Sequence, residues 1–260
     1  KYEYYFLPVV SQCPINIKSY KEKHEEELRE CEVIKNDDKK YMLMKIPFVK
    51  NKPVIDAIFN ETKNKKHTMV SIIELYTSSL KAIEILIKNN IVHFDLKSDN
   101  ILYDTDMNNI KIIDFGLSIP INKLNTENLK EYFYIYAPEY FVWPLEVHVI
   151  NFLIHDYSFD IIEKIHIDDI ANKIASEYIE YNKGLKIFST NFISKYKKLC
   201  ILQISKYLKE KKKDTIINQL IKFNDTWDNY AISILILRIL NLLFPNEFIQ
   251  NNFFETFSQL

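Results

Sequence analysis

Four side chains, Asp95, Lys97, Asn100 and Asp114, make a set suited to work on a phosphate. The carboxylate of Asp95 can accept a proton from a hydroxyl, and the ammonium of Lys97 can neutralise charge on a phosphate in transit. Asn100 and Asp114 offer the hard oxygen atoms that Mg²⁺ prefers. All four fall in residues 91–116, IVHFDLKSDNILYDTDMNNIKIIDFG. There two apolar runs, Ile101-Leu102-Tyr103 and Ile110-Lys111-Ile112-Ile113, flank a polar stretch from Asp104 to Asn109. That pattern predicts a β-hairpin, which would set the loop before its first strand beside the loop after its second. One of the chain's two glycines, Gly116, closes the second loop, where freedom of φ would be useful.

Other elements must hold these loops. Residues 67–89 read as an amphipathic helix, with Met69, Ile72, Ile73, Tyr76, Leu80, Ile83 and Leu86 at helical spacing and Asn89-Asn90 at its end. Upstream, residues 4–10 (YYFLPVV) read as a strand before a turn-like Cys13-Pro14, and residues 18–32 as an exposed loop or short helix. Residues 41–48 (YMLMKIPF) read as a second strand, and residues 53–59 as a short helix with proline in its first turn. Downstream, residues 161–181 and 192–223 carry apolar side chains at three- and four-residue steps, as helices do. The run 209–214 (KEKKKD) reads as a solvated face. Residues 231–244 are apolar all round, which predicts a buried helix ended by Pro245; residues 253–260 begin another.

The chain's 260 residues can bury one large core or two small ones. A formal charge of −1, spread along the chain, leaves no footprint for nucleic acid. The strongest apolar run is 14 residues long and contains Arg238, too short to span a bilayer, so no membrane partner is expected. Three cysteines far apart suggest no disulfide framework or zinc site and fit a reducing, cytoplasmic setting. Lysines outnumber arginines 32 to 2, a bias expected of an A+T-rich genome such as that of a large DNA virus or a protist. If the source is viral, the setting would be the host cytoplasm.

His93-x-Asp95-x-Lys97-x-x-Asn100, then Asp114-Phe115-Gly116, then Ala137-Pro138-Glu139 resembles the catalytic loop, metal loop and activation-segment end of eukaryotic-type protein kinases. The resemblance implies an α+β fold, with a mostly helical C-lobe, a partial β N-lobe and a helical insertion. It implies transfer of the ATP γ-phosphate to a protein Ser or Thr, with ATP and Mg²⁺ as cofactors. Asp95 and Lys97 would be catalytic, Asn100 and Asp114 would hold metal, and Ile46 and Leu102 would meet the adenine. His93 and Phe115 would be packing residues. The implied organisation is a partial N-lobe and hinge over 1–48, C-lobe with activation segment over 49–144, insertion over 145–225, and central helix onward over 226–260. Within the last, Asp228 would brace the backbone near His93.

The sequence also departs from that family. There is no Gly-rich phosphate loop or β-strand Lys before the hinge, and the final C-lobe helices are missing, so the chain is expected to be a piece of a longer kinase-like protein. Phe94 stands where the family usually has Arg, which would remove the anchor for a phosphorylated activation segment. Tyr132 stands where Ser/Thr kinases place a Thr, whereas Lys97 matches their catalytic loop. Ser118, Thr126, Tyr132, Tyr134 and Tyr136 are candidate phosphoacceptors, with packing of the tyrosines the preferred reading. Glu139 would find its arginine beyond Leu260. Two alternatives stand beside kinase activity: a pseudokinase or scaffold that holds a protein partner through the 145–225 insertion, and a kinase-like small-molecule phosphotransferase.

Overall fold

The computed structural model describes residues 2–23, 26, 40–60, 65–209 and 212–243. Most of the expected loop or helix over 18–32, the residues at Pro245 and the helix over 253–260 lie outside the described residues. The α+β expectation holds: helices dominate and the sheets are small.

In chain order the amino-terminal part gives strand β1 (Ser11–Ile15), helix α1 (Ile17–Lys23), β2 (Tyr41–Lys45), β3 (Asn51–Pro53) and α2 (Val54–Asn60). The strand expected over 4–10 is not there. Pro8 can donate no ladder bond, and this segment instead docks on the hairpin through a single parallel bridge from Phe6 to Ile112. The strand sits further on, and Cys13-Pro14 lies within it, not at a turn. Antiparallel β1 and β2 form a two-stranded ribbon in which Pro14 faces Met42. Each strand of such a ribbon has an open edge, where a missing N–H breaks no bond.

Helix α3 (Lys65–Lys88) matches the predicted amphipathic helix closely. Its buried stripe is Ile72, Leu75, Ser79, Ala82, Ile83 and Leu86, while Ile73 and Met69 lie at the exposed margin. Asn90 ends it with a left-handed φ of 55°, a conformation that Asn tolerates better than most residues. Strand β4 (Ile91–Val92) follows at once and pairs with β7 (Ile119–Pro120). Between them lies the predicted hairpin, β5 (Ile101–Asp104) and β6 (Asn109–Ile112), in the register Ile101↔Ile112 to Asp104↔Asn109. Its turn is closed by Asp104, whose Oδ1 accepts the N–H groups of Asp106 and Met107 at 3.0 Å each. Strand β3 adds a third strand, with Pro53 opposite Leu102.

After the short α4 (Leu129–Tyr132) come α5 (Leu145–His155), α6 (Ile167–Tyr181), α7 (Thr190–Leu208), α8 (Lys213–Ile221) and α9 (Asn224–Leu243). The helix expected over 192–223 is therefore two. Lys213 and Asp214 of the charged run open α8, and Lys213 donates its N–H to Asp160 O at 2.9 Å. α6 starts later than expected, after a single 3₁₀ turn at Lys164–His166. α9 starts seven residues before the apolar run and buries Ile232, Ile234, Leu235, Ile239 and Leu240, although Leu242 is exposed. One contiguous core runs from Phe6 through Phe94, Leu96 and α5 to Leu240. Gly184 ties the turn Lys183–Ile187 to α9: a Cβ there would lie 2.7 Å from Ile234 Cγ2 and 3.1 Å from its carbonyl oxygen.

Candidate active site

The loop after β4 is fixed from below by α9. The Asp228 carboxylate accepts the N–H of His93 at 2.7 Å and that of Phe94 at 3.0 Å, across 135 and 134 residues of sequence. Burial pushes the Asp228 pKa up to about 6, against the lowering effect of those two N–H groups. Phe94 has a left-handed φ of 70°, which for a non-glycine residue costs about 1–2 kcal/mol. Its surroundings offset that cost. The ring stacks on Trp143 at 5.0 Å between centroids and meets Phe133 edge-on at 5.6 Å and Trp227 at 6.0 Å. The Trp143 indole also donates to Phe94 O at 2.9 Å. Where an arginine would offer charge, this chain builds an aromatic cluster.

His93 is fully buried. Its Nε2 lies 2.9 Å from Ile113 O, and its Nδ1 receives the Asp95 N–H at 3.3 Å. These partners suit a neutral ring with the proton on Nε2, and burial holds its pKa below the usual value. The ring packs on Phe115 at 4.7 Å, and Phe115 in turn meets Phe6 at 5.8 Å.

Asp95, only 4 % exposed, is the hub. Its Oδ2 accepts from Lys97 Nζ at 3.0 Å and from Asn100 Nδ2 at 2.9 Å. Asn100 Nδ2 also reaches Asp95 O at 2.9 Å. The other carboxylate oxygen, Asp95 Oδ1, accepts from the Tyr140 hydroxyl. A buried carboxylate in such a grip keeps one orientation, and the ammonium beside it can screen an approaching anion.

The second loop lies alongside because Ile113 donates its N–H to Asn100 O at 3.0 Å, one step beyond the hairpin register. Asp114 takes a left-handed φ of 62°. Gly116 does not have a positive φ, so its expected use is corrected. What the position requires is closeness: its N–H reaches Asp114 Oδ1 at 3.2 Å, and a Cβ would stand 3.1 Å from that oxygen. The side chain of Asn100 donates through Nδ2 to Asp95, and among the described residues its Oδ1 accepts no hydrogen bond. Among the described residues no group of three or more His, Cys, Asp and Glu could hold a metal. One amide and one carboxylate oxygen suit a hard cation that completes its shell with phosphate oxygens and water.

The structure thus brings Asp95, Lys97 and Asn100 into one bonded group with Asp114 in the adjoining loop. Leu102 is half-buried on β5, between Pro53 on β3 and Lys111 on β6. Ile46 is not part of the group: it follows β2, is 54 % exposed and lies outside the apolar core. Sequence reasoning missed Tyr140 and Trp143. Both lie in the irregular stretch Tyr140-Phe141-Val142-Trp143 before α5, where no helical or strand periodicity marks either one.

The segment leading to Ala137-Pro138-Glu139 is held by the helices after it. His155 Nε2 lies 2.6 Å from Phe133 O, and the Tyr136 hydroxyl donates to Glu177 at 2.5 Å and packs on Phe152. Packing is therefore the role of Tyr136, whose phenol pKa is pushed up by burial and by Glu177. Tyr134 is half-exposed. Glu139 is exposed, and Arg238 lies over the Phe141 ring at 5.4 Å.

Comparison with known proteins agrees with this geometry. Residues 16–142 match the protein kinase domain family, stopping just short of Trp143 and α5. A serine/threonine-protein kinase of Candida albicans, CST20, is 34% identical over 91 residues, which cover 29% of this chain and 7% of that protein. The SNF1-related protein kinase catalytic subunit alpha KIN12 of Arabidopsis thaliana is 35% identical over 95 residues, covering 36% of this chain and 18% of that protein. The matched part is thus a small share of each relative's length.

Proposed function

We propose that this member of the eukaryotic-type protein kinase superfamily moves the γ-phosphate of ATP to a serine or threonine hydroxyl of a protein. The observation that carries this reading is the buried Asp95 carboxylate, held on one oxygen by Lys97 and Asn100 with Asp114 alongside. Asp95 accepts the proton of the acceptor hydroxyl, and Lys97 steadies the γ-phosphate. Kinases of this family use ATP with a divalent metal. Here Asn100 Oδ1 and the Asp114 carboxylate would hold it, and their hard oxygens favour Mg²⁺, which when bound neutralises phosphate charge. Leu102 serves as the floor under the adenine, and Ile46 is the hinge residue that meets it. Positioning and charge neutralisation supply most of the catalysis.

The acceptor protein is the partner this chemistry requires, and a net charge of −1 supports none of nucleic acid. Among the described residues no helix is long and apolar enough to cross a membrane. The thiols of Cys13 and Cys200 are free, which supports a cytoplasmic place of action. The 145–225 helices are also a candidate surface for a protein partner, since α7 turns Leu199 and Leu202 outward, 61% and 69% exposed.

The test is direct. In the natural protein, Asp95→Asn and Asp114→Asn should each lower transfer to a protein acceptor by about 10²-fold or more, with the circular dichroism spectrum and unfolding midpoint retained. Undiminished transfer in either variant overturns the assignment.

A further inference from the structure

A carboxylate offers about four acceptor positions, two on each oxygen. On Asp95 three are taken: Lys97 and Asn100 fill Oδ2, and the Tyr140 hydroxyl occupies one position on Oδ1. One position remains, on the oxygen that Tyr140 already holds. We propose that Tyr140 is a positioning residue for the transfer reaction: its hydroxyl selects the single lone pair of Asp95 through which an acceptor O–H can bind. This rests on the kinase reading above.

The phenol is built in, as the role requires. Tyr140 donates its N–H to Ala137 O at 3.0 Å and accepts the Trp143 N–H on its own carbonyl at 3.1 Å, so both sides of the residue are closed into turns. Its ring packs against Trp143 at 4.7 Å, and Trp143 is stacked on Phe94 and bonded to its carbonyl. Lys97 Nζ stands 6.0 Å from the Tyr140 ring centroid, so the residue that binds Asp95 through its hydroxyl also lies beside the Lys97 ammonium. A hydroxyl fixed in this way cannot swing aside to free its place on Oδ1 without disturbing that stack. It therefore shapes the approach of every acceptor. Tyr140 comes directly after Ala137-Pro138-Glu139, so the end of that segment also sets the angle at the base.

The experiment uses Tyr140→Phe in the natural protein, which removes one oxygen and leaves the ring in place. Transfer to a generic basic protein acceptor and hydrolysis of ATP by water are measured in parallel with Mg²⁺. A small, freely orienting water needs less guidance than a side-chain hydroxyl. The expected result is a fall of about tenfold in kcat for protein transfer. The KM for ATP and the unfolding midpoint should hold, and the ratio of transfer to hydrolysis should drop. Equal transfer by the variant and the wild type overturns the proposal and leaves the kinase reading standing. Faster transfer by the variant also overturns it, because the phenol would then be an obstruction. A wild-type protein that transfers nothing overturns both.

Discussion

At the scale of single residues, Phe94 does most to distinguish this site. A guanidinium at that position would sit among Phe133, Trp143 and Trp227 on a residue only 3 % exposed. Phe94→Arg should therefore destabilise the protein by about 3 kcal/mol or more, read from the denaturant midpoint, because the charge would be buried among aromatic rings and Asp228, the carboxylate bonded to this residue's N–H, already accepts two backbone N–H groups. An unchanged midpoint would mean that the cluster opens freely. The sequence pointed to Asp95, Lys97, Asn100 and Asp114 because they sit at fixed intervals on either side of a hairpin whose alternation is plain. It gave no sign of Tyr140, whose bond to Asp95 crosses 45 residues. It misassigned Gly116, since a glycine needed for close approach and one needed for positive φ look the same in one dimension.

At the scale of elements, the helices after residue 144 serve the loops before it. α5 and α6 hold the segment before Ala137 through His155, Phe152 and Glu177. Glu177 and Tyr136 should be energetically coupled. A double-mutant cycle of Glu177→Gln and Tyr136→Phe should yield an interaction of about 0.5–3 kcal/mol in unfolding free energy. Strict additivity would show that the bond contributes nothing. Helix α3 and the β5–β6 hairpin were legible because their periods of 3.6 and 2 are strong and their ends carry Asn90 and Asp104. The strand near the amino terminus was misplaced for a physical reason. Residues 3–6 bind the hairpin through main-chain oxygens that accept from Lys111 Nζ at 2.7 and 3.0 Å and from Asn109 Nδ2 at 2.9 Å. Backbone acceptors leave no pattern in side-chain identity.

At the scale of the whole molecule, two buried titratable groups pull stability in opposite directions with pH. Burial lowers the pKa of His148 from 6.5 to about 4, so between those values the unfolded chain holds the extra proton and stability rises with pH. Burial raises Asp228 from 3.8 to about 6, so in that window the folded chain holds the extra proton and stability falls as pH rises. From about pH 4 to 6 the two contributions oppose each other in the wild type. His148→Leu should remove one of them, so unfolding free energy should fall relative to wild type by up to about 1.4 kcal/mol per pH unit across that range. Chemical denaturation at several pH values checks this, and parallel curves for the two proteins would refute it. Above about pH 6 Asp228 is ionised and best able to accept the N–H groups of His93 and Phe94.

The aromatic cluster has an optical consequence. The chain contains two tryptophans, and both are nearly fully buried against Phe94. When excited at the red edge of their absorption, where the 17 tyrosines contribute little, Trp143 and Trp227 emit from the wall of the loop that carries Phe94 and Asp95. The native fluorescence of this protein is therefore a label-free gauge of the loop's geometry. Its colour and intensity should shift when a nucleotide or an acceptor moves Phe94, and hold steady when binding occurs elsewhere.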